Sequence, residues 1–223
     1  MKATLFALFV ALLMVGCGET PVGDSSESSK KDGLQTDYYD NGQKKYESNW
    51  KDGKRDGLFT GWYENGKTKA ELNLKEGKPD GLGTMWYENG QKKAEENYKD
   101  GKRDGLNTSW YDNGQKKSEA NFKDDKEDGF KTLWHENGQK KAETNYNNGK
   151  LDRLWTSWYD NGQKRTEVTY KEGKLMTFVS WKPDGDKCPD TNIFDGNGIM
   201  VAYNDKGTEV GRVTYKDGEQ VYD

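Results

Sequence analysis

The chain repeats itself every 24 residues. An Asn-Gly dipeptide marks each copy. Its glycines are Gly42, Gly66, Gly90, Gly114, Gly138 and Gly162. A period this regular is typical of one small supersecondary unit stacked on copies of itself. Because a catalytic site is a single constellation of different residues, repetition favours a scaffold or a binding surface over an enzyme.

A single repeat has the pattern of a β-hairpin. Over 58–63 the set Leu58, Thr60 and Trp62 alternates with Phe59, Gly61 and Tyr63, a period of two that predicts a strand. A second strand is predicted over 68–74. Between them lies Asn65-Gly66, the residue pair that tight hairpin turns prefer. The sequence therefore predicts one hairpin for each copy.

The register of the hairpin has two candidate solutions. A two-residue loop pairs Trp62 with Lys69, and a three-residue loop with Gly66 in the left-handed conformation pairs Trp62 with Thr68. We predict the second, a type I turn with a glycine bulge, because it separates an apolar face from a charged face. The predicted apolar face holds Leu58, Thr60, Trp62, Ala70, Leu72 and Leu74. The predicted charged face holds Tyr63, Lys69, Glu71 and Asn73.

The fold class that follows is all-β, a single-layer antiparallel β-meander or solenoid of tandem 24-residue hairpin repeats with an irregular C-terminal cap. Six repeats are predicted over 32–175, with degenerate copies and the cap over 176–223. Stacking them yields about twelve strands and a sheet roughly 55–60 Å long. Helices are not expected outside the N-terminal segment.

The N-terminus has the pattern of an export signal. Lys2 precedes an apolar run over 3–15 that is too short to span a bilayer. We predict a lipoprotein signal peptide over 1–16, lipidation of Cys17, and a flexible tether over 17–31. The alternative is an ordinary signal peptide with a stray cysteine. Lipidation predicts a cell-envelope location, at the outer membrane where the host has one, and leaves Cys188 without a partner in its own chain.

Charge and composition exclude several functions. The formal net charge of −4 and a pI near 5.3 argue against nucleic-acid binding, which needs a basic face. His135 is the only histidine and stands in a column that is tyrosine in the other repeats. The segment 190–198 resembles a calcium loop, but Phe194 and Val201 stand where such a loop would need acids. We therefore expect no catalytic residue, no metal and no cofactor. The glutamate of each repeat, such as Glu71, is explained by cross-strand ion pairs.

Aromatic columns are the candidate binding surface. The predicted surface consists of Trp62, Trp86, Trp110, Trp134 and Trp158 together with Tyr98, Phe122 and Tyr146. A row of rings on a single-layer sheet can stack sugars or surround choline-like cations. The alternative is that these rings form the core between repeats.

The repeat unit runs Trp-Tyr-(Glu/Asp)-Asn-Gly-Gln-Lys-Lys-x-Glu-x-Asn-Tyr-Lys-(Asp/Glu)-Gly-Lys-x-Asp-Gly-Leu, best seen at 86–106 and 110–130. It resembles the bacterial variant of the MORN repeat over roughly 32–218. Tandem arrays of this kind are similar to the YwqK-like family, which carries a toxin–antitoxin label. The resemblance implies a β-hairpin repeat fold and, by that label, an antitoxin that neutralises a toxin by binding it.

The sequence leaves three functional hypotheses. The first is a cell-envelope lipoprotein whose repeats mediate protein–protein interaction or have a structural role. The second is a glycan or cell-wall binding module that uses the aromatic columns, and the third is a YwqK-like antitoxin. The expected partners are a protein and, through the anchor, the membrane. Nucleic acid is not expected, and a homo-oligomer is compatible with the pattern.

Overall fold

The structure, a computed structural model, describes residues 32–188, 190–204 and 206–221. The ranges described are all-β, with no helix, as predicted. In particular, none of their segments is a helix long and apolar enough to cross a membrane. The predicted signal peptide, the lipidation of Cys17 and the tether lie outside the described residues.

Seventeen strands follow one another along the described chain. They are β1 (Gly33–Tyr38), β2 (Lys44–Lys51), β3 (Lys54–Trp62), β4 (Thr68–Lys75), β5 (Lys78–Trp86), β6 (Lys92–Lys99), β7 (Lys102–Arg103), β8 (Gly105–Trp110), β9 (Lys116–Lys123), β10 (Lys126–Trp134), β11 (Lys140–Asn147), β12 (Lys150–Trp158), β13 (Lys164–Lys171), β14 (Lys174–Ser180), β15 (Gly198–Tyr203), β16 (Glu209–Lys216) and β17 (Glu219–Val221).

Strands β1 to β14 form one antiparallel meander in chain order, in which the short β7 pairs only with β6. Each hairpin therefore pairs with the next, which confirms the predicted fusion of the repeats into one continuous sheet. The sheet has fourteen strands instead of about twelve, because β14 extends past residue 175 and β7 is separate from β8. Strands β15 to β17 form a second, three-stranded sheet.

The Asn-Gly turns have the predicted geometry. In the second repeat the Tyr63 amide donates to the Lys67 carbonyl at 2.8 Å, and Gly66 donates back to the Tyr63 carbonyl at 2.9 Å. Gly66 has a φ of 81°, and Trp62 pairs with Thr68. The Asn65 side chain accepts a hydrogen bond from the Lys67 amide at 3.0 Å. The three-residue loop with a left-handed glycine is therefore confirmed.

A second irregularity follows each turn and was not predicted. After Trp62 pairs with Thr68, the ladder skips Lys69 and resumes with Gly61 opposite Ala70. The same skip occurs in all six repeats and in the β15–β16 hairpin. Lys69 is thus an extra, unpaired residue on β4, which we call the lysine bulge. It moves each later side chain of β4 to the face opposite to the predicted one.

The predicted distribution of residues between the faces is therefore wrong. Thr60 lies opposite Glu71, and Leu58 lies opposite Asn73. The tryptophan and glutamate columns thus project from the same side of the sheet. We call this side the tryptophan face; in the second repeat it carries Leu58, Thr60, Trp62, Glu71 and Asn73. The opposite side is the core face, with Phe59, Gly61, Ala70, Leu72 and Leu74.

The side chains of the core face are buried from solvent by contacts with one another. Ala70, Leu72 and Ala94 are at most 1% exposed, and Phe59 and Met85 are 3% exposed. The aromatic column of Tyr98, Phe122 and Tyr146 also lies on this face, because Tyr98 pairs with Gly81 of the core face. A thin core of one layer thus runs along the array of repeats, and its burial provides much of the stabilisation.

The three-stranded sheet caps the last repeat. Phe178 on β14 bridges to Ile193, and the Gly196 amide donates to the Met176 carbonyl at 2.8 Å. Val168, Leu175, Phe178 and Ile193 form a buried cluster against which Met200 and Tyr215 of the cap pack. Cys188 is 1% exposed and is a free cysteine.

Candidate interaction surface

The tryptophan face carries three parallel columns, each renewed once per repeat. The first alternates tryptophan with lysine, except for Tyr38 and Thr68. The second alternates threonine with glutamate, and the third alternates leucine or phenylalanine with asparagine, except for Thr169. These columns arise because each strand contributes every second residue to the face and neighbouring hairpins repeat the same register.

Ion pairs link the first two columns. The Lys44 ammonium lies 5.4 Å from the centre of the Trp62 ring and 2.6 Å from Glu47 Oε2. The Thr36 hydroxyl donates to the same carboxylate at 3.0 Å. The hydrogen bond from Lys44 lowers the pKa of Glu47, and the same bond raises the pKa of Lys44. Equivalent lysine–glutamate pairs are Lys92–Glu95, Lys116–Glu119, Lys140–Glu143 and Lys164–Glu167. In the five repeats that carry this lysine, the charge of the glutamate is thus compensated locally.

Lysines also cover several indoles. The ammonium groups of Lys92, Lys116 and Lys164 lie 5.9, 5.5 and 5.1 Å from the rings of Trp110, Trp134 and Trp181. Cation–π contacts of this length are attractive, and they occupy one side of each ring. The five tryptophans from Trp62 to Trp158 are half-buried.

The third column is exposed and apolar. Its members are Leu34 at 60% exposure, Leu58 at 46%, Leu82 at 47%, Leu106 at 44%, Phe130 at 74% and Leu154 at 46%. Strands that carry consecutive members lie two apart in the sheet, so the spacing is about 9.6 Å. Six such residues at one per repeat make an apolar line about 48 Å long. We call it the leucine line.

The eight predicted binding residues are not brought together. Trp62, Trp86, Trp110, Trp134 and Trp158 lie half-buried on the tryptophan face, whereas Tyr98, Phe122 and Tyr146 belong to the core face. A single surface made of both sets does not exist, because the lysine bulge separates them. The leucine line was missed as a surface, although its sequence signal, a leucine two residues before the threonine of nearly every repeat, was present.

Tyrosine hydroxyls tie each repeat to the next. The Tyr63 hydroxyl donates to the Trp86 carbonyl at 2.7 Å, and Tyr87 reaches the Trp110 carbonyl at 2.8 Å. His135 occupies the same position, with Nε2 at 3.1 Å from the Trp158 carbonyl. Its contact is thus the structural one made by tyrosine in other repeats, as expected for a substitution in a repeated column.

A buried carboxyl interrupts the core face in the third repeat. Glu96 is 1% exposed and accepts a hydrogen bond from the Tyr98 hydroxyl. Burial raises the pKa of Glu96, while the bond from Tyr98 and the nearby Arg103 oppose the rise. Arg103 itself lies 3.4 Å from Asp125 Oδ1 and 4.1 Å from the centre of the Phe122 ring.

Replacing Glu96 with glutamine is expected to raise the free energy of unfolding at pH 7 by roughly 1–2 kcal/mol. Because the folded-state pKa is raised, the contribution of this group is fully present below the ordinary pKa of glutamate. It is lost as pH rises through the raised pKa. Urea unfolding between pH 4 and 8 measures both effects. Glu95→Gln, the same change on the tryptophan face, is the control and should change the free energy of unfolding by less than about 0.5 kcal/mol. A loss of stability in Glu96→Gln at pH 7 would show that the buried charge is not destabilising.

Candidate metal ligands are dispersed. Within the described ranges, no three His, Cys, Asp or Glu side chains come together as a metal-ion cluster would require. In segment 190–198, Asn197 Nδ2 donates a hydrogen bond to the Asp195 carbonyl at 2.9 Å, and Asn192 Oδ1 accepts one from the Ile199 amide just beyond the segment.

Comparison with known families identifies a repeat family, in agreement with the tandem hairpins of the structure. The profile of the MORN repeat variant matches residues 31–52, 55–76, 79–100, 103–124, 131–148 and 154–172, which is more than half of the chain. The chain belongs to the MORN repeat variant family. No curated protein matched the chain. This MORN repeat chain is a repeat scaffold, of a kind not typical of enzymes, and such repeats commonly mediate protein or membrane interactions.

Proposed function

We propose that this MORN repeat chain is an interaction scaffold whose tryptophan face holds a protein partner. The observation that supports the proposal is the leucine line. Single exposed apolar residues are ordinary on protein surfaces, but an ordered line of them on one face is typical of an interaction site. Each member keeps 44–74% of its surface exposed, so a partner can still bury a large part of it.

The chemistry of the face favours a protein over other partners. Locally compensated lysine–glutamate pairs leave little net field, which disfavours polyanions such as nucleic acid. The lysines over Trp110 and Trp134 restrict the open ring faces that sugar stacking needs. Apolar side chains between neutral asparagines suit a protein surface that presents apolar residues among polar ones.

Site-specific crosslinking in the native cells tests the proposal. A photoreactive amino acid replaces Phe130 on the leucine line, and a second version carries it at Glu136, which is exposed in the neighbouring turn. We expect a protein adduct at Phe130 and a much weaker one at Glu136. The adduct should disappear when Leu106 and Leu154 are changed to serine in the same chain.

Binding measurements with the captured protein then test whether the leucine line forms the binding surface. Its Kd for the purified chain should rise at least tenfold with Leu106→Ser and Leu154→Ser, equivalent to about 1.4 kcal/mol or more. The control pair Asp112→Ser and Glu136→Ser, exposed in two Asn-Gly turns, should change the Kd less than twofold. An adduct that consists only of a second copy of the chain, or equal effects of the two pairs, would overturn the proposal of a distinct partner.

The place of this scaffold is a separate proposal that rests on the sequence. Cys17 follows an apolar run and a small residue, as in lipoprotein signals, so we propose that a lipid on Cys17 displays the repeats at the cell envelope. Metabolic labelling with an alkyne-bearing fatty acid should mark the wild-type chain and not Cys17→Ser. Equal labelling of the two would exclude acylation at this residue.

A further inference from the structure

Asparagine followed by glycine occurs eight times in the chain. This pair is chemically labile, because glycine has no side chain to shield its backbone nitrogen from the amide of the preceding asparagine. All eight asparagines are exposed, so access of water does not distinguish them. What distinguishes them is how the structure holds the amide side chain. The eight are Asn41, Asn65, Asn89, Asn113, Asn137, Asn148, Asn161 and Asn197.

Seven of these amides are held by hydrogen bonds at both ends. In the fourth repeat, Asn113 Oδ1 accepts a hydrogen bond from the Gln115 amide at 2.9 Å, and its Nδ2 donates to the Glu136 carbonyl of the next repeat at 3.0 Å. Asn197 in the cap likewise accepts one bond and donates one. One accepted and one donated bond also hold Asn41, Asn65, Asn89, Asn137 and Asn161.

Asn148 is the exception. It lies in the return turn between β11 and β12, with a φ of 49°. Its Oδ1 accepts a hydrogen bond from the Lys126 ammonium at 2.9 Å, but its Nδ2 donates to no group in the described ranges. Lys126 is exposed and its stem is flexible, so this single contact restrains the amide less than two hydrogen bonds do.

The backbone nitrogens that follow the asparagines do not differ in this way. Gly149 donates to the Glu127 carbonyl at 2.8 Å, and Gly114, which follows Asn113, donates to the Tyr111 carbonyl at 3.0 Å. Both nitrogens must give up one hydrogen bond before they can react. The difference between the two sites therefore lies in the asparagine side chain.

The position of Asn148 holds an acid in the other return turns of the repeats. In the turn one repeat earlier, Lys102 Nζ lies 3.1 Å from Asp124 Oδ1, which is the contact that Lys126 makes with Asn148. A carboxylate at position 148 would therefore complete the column and convert a neutral hydrogen bond into an ion pair. The acids of the column are Asp52, Glu76, Asp100, Asp124 and Glu172.

We propose that Asn148 is a self-modification site, at which the folded chain deamidates selectively to a carboxylate beside Lys126. The Gly149 backbone nitrogen attacks Asn148 Cγ and loses its proton to solvent, and the Cγ–Nδ2 bond breaks with release of ammonia. Water then opens the succinimide ring at either carbonyl and yields aspartate or isoaspartate. Water is the only co-reactant, and each event adds one negative charge. The site is independent of the leucine line, which lies on the strands.

Peptide mapping of the purified full chain by mass spectrometry tests the proposal. One sample is incubated folded at pH 8, and a second is incubated in urea at the same pH. In the folded sample we expect Asn148 to deamidate at least about fivefold faster than any of the seven held asparagines, the factor that one ordinary hydrogen bond supplies. In urea the preference should disappear, because every one of the eight precedes glycine.

Two outcomes of this experiment would overturn the proposal. The first is a held asparagine that reacts as fast as Asn148 in the folded sample, since the hydrogen bonds would then give no protection. The second is the same preference for Asn148 in urea, which would assign the selectivity to neighbouring sequence and not to the fold.

Matched variants identify the charged product. Native ion-exchange chromatography should show a more acidic form that accumulates in the wild-type chain. Asn148→Asp should elute with that form from the start and acquire further acidic species at least about fivefold more slowly. Asn137→Asp makes the same charge change at a held position and should still acquire the acidic form at the wild-type rate. Accumulation in Asn148→Asp as fast as in the wild type would assign the modification to another residue.

Discussion

Replacing Leu72 with alanine is expected to lower the free energy of unfolding by about 3 kcal/mol. Leu72 is 1% exposed and lies on the core face between Phe59 and Gly83 of the two neighbouring strands. A one-layer core has few side chains per repeat, so the lost contacts have no second layer to replace them. Urea unfolding followed by circular dichroism measures the change.

The control is Leu58→Ala, the same change in the same repeat on the opposite face. Leu58 is 46% exposed, so its truncation should cost less than about 1 kcal/mol. The comparison tests the face assignment directly, because the pattern of the sequence places both leucines on one face and the lysine bulge separates them. Equal losses in the two variants would show that the faces are not divided as described.

Loss of cooperativity is a second expected sign of Leu72→Ala. In a linear array each repeat contacts only its neighbours, so a weakened repeat near one end uncouples the two sides. The unfolding transition should broaden or split, in contrast to the single transition of the parent. A loss of stability with an unchanged, sharp transition would indicate that the array unfolds as one unit.

Replacing Gly198 with alanine is expected to destabilise the cap by about 3 kcal/mol or more. Gly198 begins β15 with a φ of 138°, a conformation that is essentially restricted to glycine, and an added Cβ would lie 2.0 Å from the Asn192 carbonyl oxygen. That oxygen belongs to the backbone, so the clash cannot be relieved by rotating a side chain.

Hydrogen exchange measures the effect where it occurs. Amides of β15 and β16 should lose protection in Gly198→Ala, while those of β3 to β6 keep it. Gly211→Ala is the control, since Gly211 lies in β16 of the same sheet with no atom near an added Cβ and without a positive φ. It should change stability by less than about 0.5 kcal/mol. Unchanged protection of β15 in Gly198→Ala would mean that the cap accommodates the added methyl group without strain.

Local chemistry explains what could be predicted. The 24-residue period predicts a tandem array, and the Asn65-Gly66 pair predicts the turn, because a left-handed glycine and an asparagine that binds the turn backbone are requirements of a few consecutive residues. The hairpin turns of the cap, where degenerate copies were predicted over 176–223, have the same geometry. The bonds from Lys182 to Asp186 and from Asn204 to Thr208, at 2.8 and 2.9 Å, repeat the pattern of Tyr63 and Lys67.

The bulge at Lys69 could not be predicted in the same way. Its lysine lies 5.5 Å from the centre of the Tyr63 ring, and Tyr63 in turn binds the Trp86 carbonyl of the next repeat. The extra residue is therefore accommodated by contacts that extend into another copy of the unit. Because the alternation of a strand has a period of two, one such residue was enough to place Thr60 and Glu71 together and to separate Trp62 from Leu72.

By itself the sequence determined the repeat, its turns, the all-β class and the family, since these depend on short-range chemistry that every copy shares. Only the tertiary structure decided which side of the sheet is buried, which leucines remain exposed, and how Met200 and Tyr215 of the cap pack on the last repeat. Those properties arise from pairing between strands and from the end of the period, where residues distant in the chain meet and no repeated pattern records their contact.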